Sequence, residues 1–343
     1  MPSIRRALQA ALDEHEGHLP FERFMQIALH HPDGGYYTSN IRGIGGGGDF
    51  TTAPKLTHAL GRSIAAWLRA EAGCRSWKSF HIIECGPGDG SLAAEVMRSF
   101  GWLERRRVTL HLVETSVPLR EKQKAALRGF NVRWHTDIGN ALTSCDGRAL
   151  LFHNEFLDAF PCRVFRKDGG GWKELHLQVR EKRLTGVYLP PSRALPHSTA
   201  FDTDWPEGQQ IEVFEAARGW MQKMAPHWRE GAMLAIDYGG TAESVYHRRP
   251  HGTLRAYRNH QRLEGDAVCE MPGLQDITAD VNFSDLSAWA RNLGWRETLD
   301  RSLAEFLGPD TDPHLRDAGH AFRGMAFVTA GRSEANLRTA QGM

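Results

Sequence analysis

Cysteine is scarce in this sequence, and its few occurrences form no recognisable pattern. Five cysteines occur among 343 residues, far apart from one another and without any CxxC spacing. An odd number without close spacing argues against a disulfide framework and against a thiolate metal site. A reducing compartment fits this usage best.

Neither an excess of one charge nor a long apolar run is present. Forty-two basic residues stand against 41 acidic residues, so nothing draws the whole molecule to nucleic acid or to an anionic membrane. No apolar stretch approaches a membrane span, and Asp13 and Glu14 interrupt the first one before a signal-peptide core could form. We predict a cytoplasmic protein, or a mitochondrial-matrix protein if the source is eukaryotic, without nucleic-acid or membrane partners.

Several catalytic motifs are missing as well. The chain has neither the GxSxG motif of serine hydrolases nor a GxxxxGK[ST] phosphate loop. Among 17 histidines, His247 and His251 have helical spacing, but Pro250 between them breaks a helix and no acid or cysteine completes a ligand set. We predict no metal site.

From Phe80 onward, short apolar runs alternate with amphipathic stretches, which is typical of βαβ units around a parallel sheet. The apolar runs are HIIEC, VTLHLVE, NVRWH and ALLFH, and later strands are predicted at 232–237, 294–299 and 325–330. Helices are predicted at 4–12, 21–29 and about 54–71, and a further one between Glu212 and Trp228. Period-two runs within 162–190 predict an antiparallel hairpin around residues 168–171.

These elements predict an α/β fold, with a Rossmann-like sheet covered by helices on both faces. Residues 1–75 form an N-terminal helical extension with a glycine-rich lid loop that contains Gly45–Gly48. Residues 76–332 form the sheet domain, with a β-hairpin/α segment inserted at about 162–210 and a second insertion at about 240–283. Residues 333–343 form a tail.

The glycine-rich segment ECGPGDG follows the first of these strands and precedes a helix. Gly86, Gly88 and Gly90 let the backbone pass close beneath a ligand at the carboxyl end of the strand. A dinucleotide site with GxGxxG spacing would need glycine where Ser91 stands. Glu84 can receive an ammonium group. The spacing favours S-adenosylmethionine over a dinucleotide, although a simple strand-to-helix turn could use the same glycines.

Two further acids follow the next two strands. Glu114 ends VTLHLVE, where a carboxylate can accept both hydroxyls of a ribose, and dinucleotide enzymes share this feature. Asp137 follows the third strand, a position that neighbours adenine. As alternatives, Glu114 could cap the next helix and Asp137 could be a turn residue.

The fourth strand, ALLFH, continues into NEFLDAFP. In a doubly wound sheet this position opens onto the crevice of the first-strand loop, so Asn154, Glu155 and Asp158 are candidate catalytic residues. Methyl transfer needs a nucleophile in line with the sulfonium carbon and a group that accepts or orients the departing proton. Carboxylates suit a basic nitrogen, because they can grip the fork of an arginine guanidinium. Capping of the following turn is the alternative role for both acids.

Long strings throughout the chain resemble the MidA-like class I methyltransferases, a family that uses S-adenosylmethionine and includes a mitochondrial assembly factor that methylates an arginine of a respiratory complex I subunit. The resemblance covers nearly the whole sequence. It rests on MQIALHHPDGGYY, GDFTTAP, ECGPGDGSLAAEV, VETSVPLREKQ, HNEFLDAFPCRVF, IDYGG, GTLRAYRNH and PGLQDITADVNFSDL. Lys55, where the family usually has an acid, and DAFP in place of the commoner DALP depart from its pattern and bear on acceptor specificity.

The resemblance implies roles for four groups of residues. Donor contacts would come from Glu84, Gly86, Gly88, Gly90 and Glu114, with Asp49, Thr51 and Thr52 closing over the donor. The acceptor site would be lined by Asn154, Glu155 and Asp158, and approached by Gln275, Asp276 and Thr278.

Three functions are consistent with these residues. The leading hypothesis is a protein arginine methyltransferase, with a protein substrate as its partner. The others are a small-molecule O- or N-methyltransferase and an assembly chaperone that binds S-adenosylmethionine without turnover. Retention of the acids at 154–158 favours catalysis. The sequence leaves the acceptor and a homodimer open.

Overall fold

The computed structural model describes residues 2–40, 54–308 and 319–329. The chain forms two compact units. We call one the sheet unit, which comprises Thr52–Phe156, Trp220–Tyr238 and Leu286–Met343. The other, the hairpin unit, comprises Met1–Thr51, Leu157–Gly219 and Gly239–Asp285. The domain boundary after residue 75 stays a prediction.

The described residues contain strands and helices with the following bounds. The strands are β1 (Leu19–Pro20), β2 (Phe80–Cys85), β3 (Val108–Val113), β4 (Val132–His135), β5 (Arg148–Asn154), β6 (Arg163–Asp168), β7 (Gly171–Arg180), β8 (Arg183–Leu189), β9 (Gln210–Val213), β10 (Glu230–Gly240), β11 (Arg255–Arg258), β12 (Gln261–Leu263), β13 (Asp276–Thr278), β14 (Val281–Asn282), β15 (Trp295–Ser302) and β16 (Phe322–Thr329). The helices are α1 (Pro2–Glu14), α2 (Phe21–His30), α3 (Pro54–Cys74), α4 (Ser91–Ser99), α5 (Trp102–Arg105), α6 (Val117–Ala126), α7 (Ile138–Thr143), α8 (Glu215–Met224), α9 (Ala242–Tyr246), α10 (Phe283–Asn292) and α11 (Leu303–Leu307). A π-helical turn spans Tyr36–Asn40, and short 3-10 turns span Thr199–Phe201, Ala225–His227 and Gly265–Cys269.

The sheet unit is built on strands in the order β15-β16-β10-β5-β2-β3-β4. From β10 to β4 neighbouring strands are parallel, and β16 runs antiparallel to both β10 and β15. From β2 the chain moves outward to β3 and β4, and then returns to form β5 on the other side of β2. The carboxyl ends of β2 and β5 therefore flank the switch point, where open α/β sheets bind ligands. The predicted α/β sheet is confirmed.

The core of the sheet unit explains the apolar runs in its sequence. Ile82 and Ile83 of β2 are both fully buried, because a central parallel strand is covered on both faces. On α3, Leu60, Ile64 and Leu68 recur every four residues and pack into the same core cluster as Ile82. The helix predicted at 54–71 is confirmed and extends to residue 74.

Three histidines form a hydrogen-bonded row across this sheet. Nδ1 of His81 lies 2.8 Å from Nε2 of His111, whose Nδ1 lies 2.9 Å from Nε2 of His135. Oγ of Ser144 lies 3.3 Å from the same Nδ1 of His111. Burial, with the neighbouring histidines, lowers the pKa of His111 to about 3, so its ring is neutral at physiological pH.

The hairpin unit contains the predicted hairpin, which is confirmed as β6 and β7. Asp168 pairs with Gly171 across a two-residue turn, as the glycine pair between them suggests. These strands belong to a five-stranded sheet in the order β1-β7-β6-β9, with β8 paired to β7. A separate three-stranded sheet has the order β12-β11-β13.

The helix predicted between Glu212 and Trp228 is present as α8, within those bounds. Glu212 lies in β9, paired with Val164 of β6, and its buried carboxylate accepts hydrogen bonds from the N–H and hydroxyl of Thr253. These long-range contacts outweigh the local helical pattern. The helix α8 begins at Glu215 and ends at Met224, before Pro226, whose ring disfavours a continuing helix.

Replacement of Arg163 by alanine should destabilise the hairpin unit by about 3–5 kcal/mol. Its fully buried guanidinium binds both oxygens of Glu174, at 2.7 and 3.0 Å. Although burial opposes ionisation, hydrogen bonds from Arg163 and Ser192 hold the pKa of Glu174 below its ordinary value. The variant would therefore leave a buried carboxylate without its cation.

Urea unfolding would measure this loss. Lys173→Ala, which breaks an exposed pair with Asp168, serves as the control and should leave stability nearly unchanged, because an exposed ion pair contributes little. Equal losses in both variants would contradict the expected role of Arg163.

Candidate functional site

The predicted donor loop connects β2 to α4 in the sheet unit. Gly86, Gly88 and Gly90 all have positive φ angles, of +66°, +55° and +84°. A Cβ atom on Gly86 would lie only 2.6 Å from the ring of Phe156, which follows β5. The loop therefore requires glycine at this position both for its backbone conformation and for the close approach of a neighbouring side chain.

Glu84, next to this loop, carries a carboxylate that is buried without a full set of partners. The residue is 2% exposed, and its Oε2 has no hydrogen-bond partner among the described residues. Burial, with a smaller contribution from Asp89, raises the pKa of Glu84 to about 8. When ionised, a buried acceptor of this kind is stabilised by a cationic donor group, and the ammonium of S-adenosylmethionine would supply one. The residues present thus fit this cofactor.

Glu114 lies just after β3 and is 8% exposed. Its Oε1 accepts the backbone N–H of Ser116 at 2.7 Å, and its Oε2 accepts the side-chain amide of Gln123 at 3.3 Å. Burial raises the pKa of Glu114, while these hydrogen bonds lower it. Each oxygen retains a second lone pair, so the carboxylate can still accept two ribose hydroxyls.

Asp137 caps a helix. Its side chain is exposed and accepts the backbone N–H of Asn140 at 2.8 Å, at the start of α7. This contact matches the alternative of a turn residue, and its predicted position near adenine stays a prediction.

Asn154 is the last residue of β5 in the sheet unit and Glu155 follows it, on the other side of the switch point from β3. Glu155 has a φ of +49°, a left-handed conformation that is uncommon for a residue with a side chain. Its backbone N–H donates to the carbonyl of Ile236 at 3.0 Å. The amide of Asn154 donates to Oε1 of Glu155 at 3.1 Å. The turn thus holds the carboxylate of Glu155 in a fixed orientation, beside the end of β2, the strand that leads into the glycine loop.

Asp237 supports this turn from β10. Its fully buried carboxylate accepts the backbone N–H of Phe156 at 3.1 Å and that of Tyr238 at 3.0 Å. Our sequence analysis gave Asp237 no role, because an acid at the end of a predicted strand carries no signal of the turn that it contacts.

In the hairpin unit, Asp158, Asp276 and Thr278 belong to one buried polar cluster. The hydroxyl of Thr278 donates to Asp158 at 2.9 Å, and the hydroxyl of Tyr37 donates to Asp276 at 2.7 Å. Burial raises the pKa of Asp158 to about 6, although the hydrogen bond from Thr278 and the charge of Arg255 both lower it. Burial and the nearby acids raise the pKa of Tyr37 well above its ordinary value, so it remains a phenol and a donor.

The remaining predicted residues have other surroundings. Gln275 is fully buried and donates its side-chain amide to the carbonyls of Ala267 and Val268, contacts that stabilise a 3-10 turn. Asp49, Thr51 and Thr52 lie outside the described residues. Sequence analysis missed Gln123 and Tyr37, although both lie in strings that resemble the family.

The described residues contain neither a membrane-spanning helix nor a metal-binding cluster. None of their helices is long and apolar enough to cross a membrane. Within the same ranges, no group of three or more histidine, cysteine, aspartate or glutamate residues could hold a metal ion.

Comparisons with known proteins show which family the chain is similar to. Residues 59–299 match the profile of a family described as "Putative S-adenosyl-L-methionine-dependent methyltransferase". The chain is 30% identical to protein arginine methyltransferase NDUFAF7, mitochondrial, of Danio rerio, over 80% of this chain and 69% of that protein. Its homologue in Caenorhabditis elegans is 27% identical over the same shares.

A solved structure is similar to this chain in both sequence and fold. A protein from Burkholderia thailandensis, crystallised with S-adenosyl-homocysteine bound, is 26% identical and superposes with a TM-score of 0.80, covering 95% of this chain and 92% of that one. The fold is that of class I methyltransferases, and the methyl donor is S-adenosylmethionine. The chain therefore belongs to the MidA-like family of S-adenosylmethionine-dependent methyltransferases.

Proposed function

We propose that this methyltransferase transfers the methyl group to an arginine side chain of a protein. The turn at Asn154 and Glu155 carries the proposal, because it presents an oriented carboxylate at the end of β5, beside the strand of the donor loop. The relatives from Danio rerio and Caenorhabditis elegans, which are named as protein arginine methyltransferases, support this acceptor.

The chemistry of a guanidinium suits this carboxylate. A guanidinium is protonated at neutral pH and offers N–H donors in a planar fork, which carboxylates bind well. In the transfer, one guanidinium nitrogen attacks the methyl carbon, a C–N bond forms, and the C–S bond breaks with its electron pair going to sulfur. The guanidinium then loses one proton. In our proposal, Glu155 orients the nitrogen and receives this proton, while Asn154 holds the carboxylate in place.

An acceptor assay tests the proposal. Purified protein and methyl-labelled S-adenosylmethionine would be incubated with an extract of cells that lack this gene. Methylarginine in hydrolysed polypeptides is the expected product. Label confined to the low-mass fraction would instead indicate a small-molecule acceptor. Retained donor binding with no label in either fraction would indicate a chaperone.

Methyl transfer should also slow as the pH falls through about 6. Burial raises the pKa of Asp158 to this value, so its carboxylate is ionised only above it. If Asp158 binds the cationic acceptor, the rate at pH 5 should be about one tenth of its plateau. Asp158→Asn should be slower and should lack this dependence. Rates would be measured at saturating donor, and an identical pH profile in both proteins would contradict a role for Asp158.

We also propose that the protein acts in the cytoplasm, or in the mitochondrial matrix if its source is eukaryotic. All five cysteines are free thiols, which suits a reducing compartment. Cell fractionation with an antibody against the protein tests this location.

A further inference from the structure

Gln123 contacts both parts of the predicted donor site. It lies on α6, is fully buried, and donates its side-chain amide to the carbonyl of Gly88 at 2.7 Å and to Oε2 of Glu114 at 3.3 Å. Its Oε1 accepts the indole N–H of Trp134, on β4, at 3.0 Å. One side chain therefore joins the glycine loop, the predicted ribose acid and the outer parallel strand.

These partners allow the amide only one orientation. An indole N–H can donate but cannot accept, so the oxygen of Gln123 must face Trp134. The nitrogen then faces two oxygens, and its two hydrogens serve the carbonyl of Gly88 and the carboxylate of Glu114. If the amide were flipped, its N–H groups would face the indole N–H of Trp134, and its oxygen would face the oxygens of Gly88 and Glu114.

We propose that Gln123 is a positioning residue for the methyl donor, which holds the glycine loop and the Glu114 carboxylate in their binding geometry. Ser116 fixes the other oxygen of Glu114 at 2.7 Å, so the two contacts together determine the plane of this carboxylate. A site that is ordered before binding avoids the cost of ordering it with the ligand. The inference rests on the proposed donor contact of Glu114 and is independent of the acceptor.

Gln123→Glu is the sharpest test. The variant retains an acceptor for Trp134, but places an oxygen against Gly88 and Glu114. Charged groups around this position include Glu114 and Arg120, and the guanidinium of Arg120 donates to the Glu114 carbonyl at 2.9 Å. At high pH the new carboxylate repels Glu114, whereas at low pH its protonated form can donate its single hydrogen to one of the two oxygens that the amide serves.

Calorimetric titration with S-adenosyl-homocysteine would measure the effect. We expect the variant to bind roughly 30-fold more weakly than wild type at pH 8.5, and less than about fivefold more weakly at pH 6. At each pH, the dissociation constant of the variant is divided by that of wild type. This ratio cancels the effects of ionisation of Glu84 and of the ligand, which are common to both proteins. A ratio that stays near one, or one that is equal at both pH values, would overturn the proposal.

Gln209→Glu is the matched control. Gln209 is a buried glutamine of the hairpin unit that donates to the carbonyls of Gln210 and Arg249, both at 2.8 Å. This control should lose thermal stability and bind S-adenosyl-homocysteine within about twofold of wild type. If Gln123→Glu fails to fold, Gln123→Met replaces it: weaker binding by roughly tenfold at both pH values is expected, and unchanged binding would overturn the proposal.

Discussion

Glu84→Gln is expected to bind S-adenosyl-homocysteine about 100-fold more weakly than wild type, and to melt several degrees higher in the absence of ligand. Both effects come from one carboxylate. In the folded protein its Oε2 is buried without a partner among the described residues. Glutamine removes the cost of this charge, but it would also remove the charge that we expect to bind the ligand's ammonium.

The pH dependence of stability gives a second measure of the same group. The pKa of Glu84 is raised to about 8 in the fold, above its ordinary value of about 4.3. Its contribution to stability is therefore complete below the ordinary value and is lost as the pH rises through about 8. The difference in melting temperature between variant and wild type should widen from pH 5 to pH 8.

Binding should respond in the opposite direction over this range. The affinity of wild type for S-adenosyl-homocysteine should rise toward pH 8 as Glu84 ionises, whereas the affinity of the variant should be nearly constant. Glu230→Gln, at the amino-terminal end of β10, is a suitable control, because its half-exposed carboxylate pairs with Arg148. Unchanged affinity together with a lower melting temperature in Glu84→Gln would refute this account.

Glu155→Gln is expected to slow methyl transfer by about 10²–10⁴-fold while donor affinity stays within about twofold of wild type. Glutamine matches glutamate in size and in its tolerance of the left-handed conformation, so the turn should persist. The amide cannot receive the proton that leaves the guanidinium. Transfer to polypeptides in cell extract, measured with saturating donor, separates this loss from a binding defect.

Glu155→Gly tests whether the loss of transfer comes from the missing charge or from the strained backbone at this position. It also removes the carboxylate, so transfer should be lost as in Glu155→Gln, but glycine adopts the left-handed conformation freely. Glu243→Gln, an exposed acid of the hairpin unit, should leave transfer unchanged. Full activity in Glu155→Gln would contradict the proposed role.

The sequence predicts best what depends on neighbouring residues. The strand, glycine loop and helix that surround Glu84 are consecutive, so their pattern predicts both the fold of the loop and the place of the acid. Gln123 lies 35 residues from Gly88, and within an amphipathic helix a glutamine has no feature that distinguishes a buried amide from a surface one. Its role depends on the packing of α6 against the loop.

Longer separations explain the other omissions. Asp237 and Phe156 are 81 residues apart, and Thr278 and Asp158 are 120 apart. Periodicity carries no information on such pairs. Only the family resemblance indicated that Asp276 and Thr278 approach the acceptor site. It could not show that Tyr37 contacts Asp276. The same reason leaves the exact start of α8 outside what periodicity can predict, since Glu212 is held in a strand by Thr253, far along the chain.

The row of histidines on the sheet has a consequence for proton positions. A neutral imidazole has one N–H and one acceptor nitrogen, so the tautomer of His111 determines those of His81 and His135. The hydroxyl of Ser144 donates to the carbonyl of Ala141, so towards His111 its oxygen can only accept. The hydrogen of His111 therefore lies on Nδ1, and all three rings carry theirs on the same atom. The three side chains form a single chain of aligned dipoles, in which a change of tautomer in one ring requires the same change in the other two.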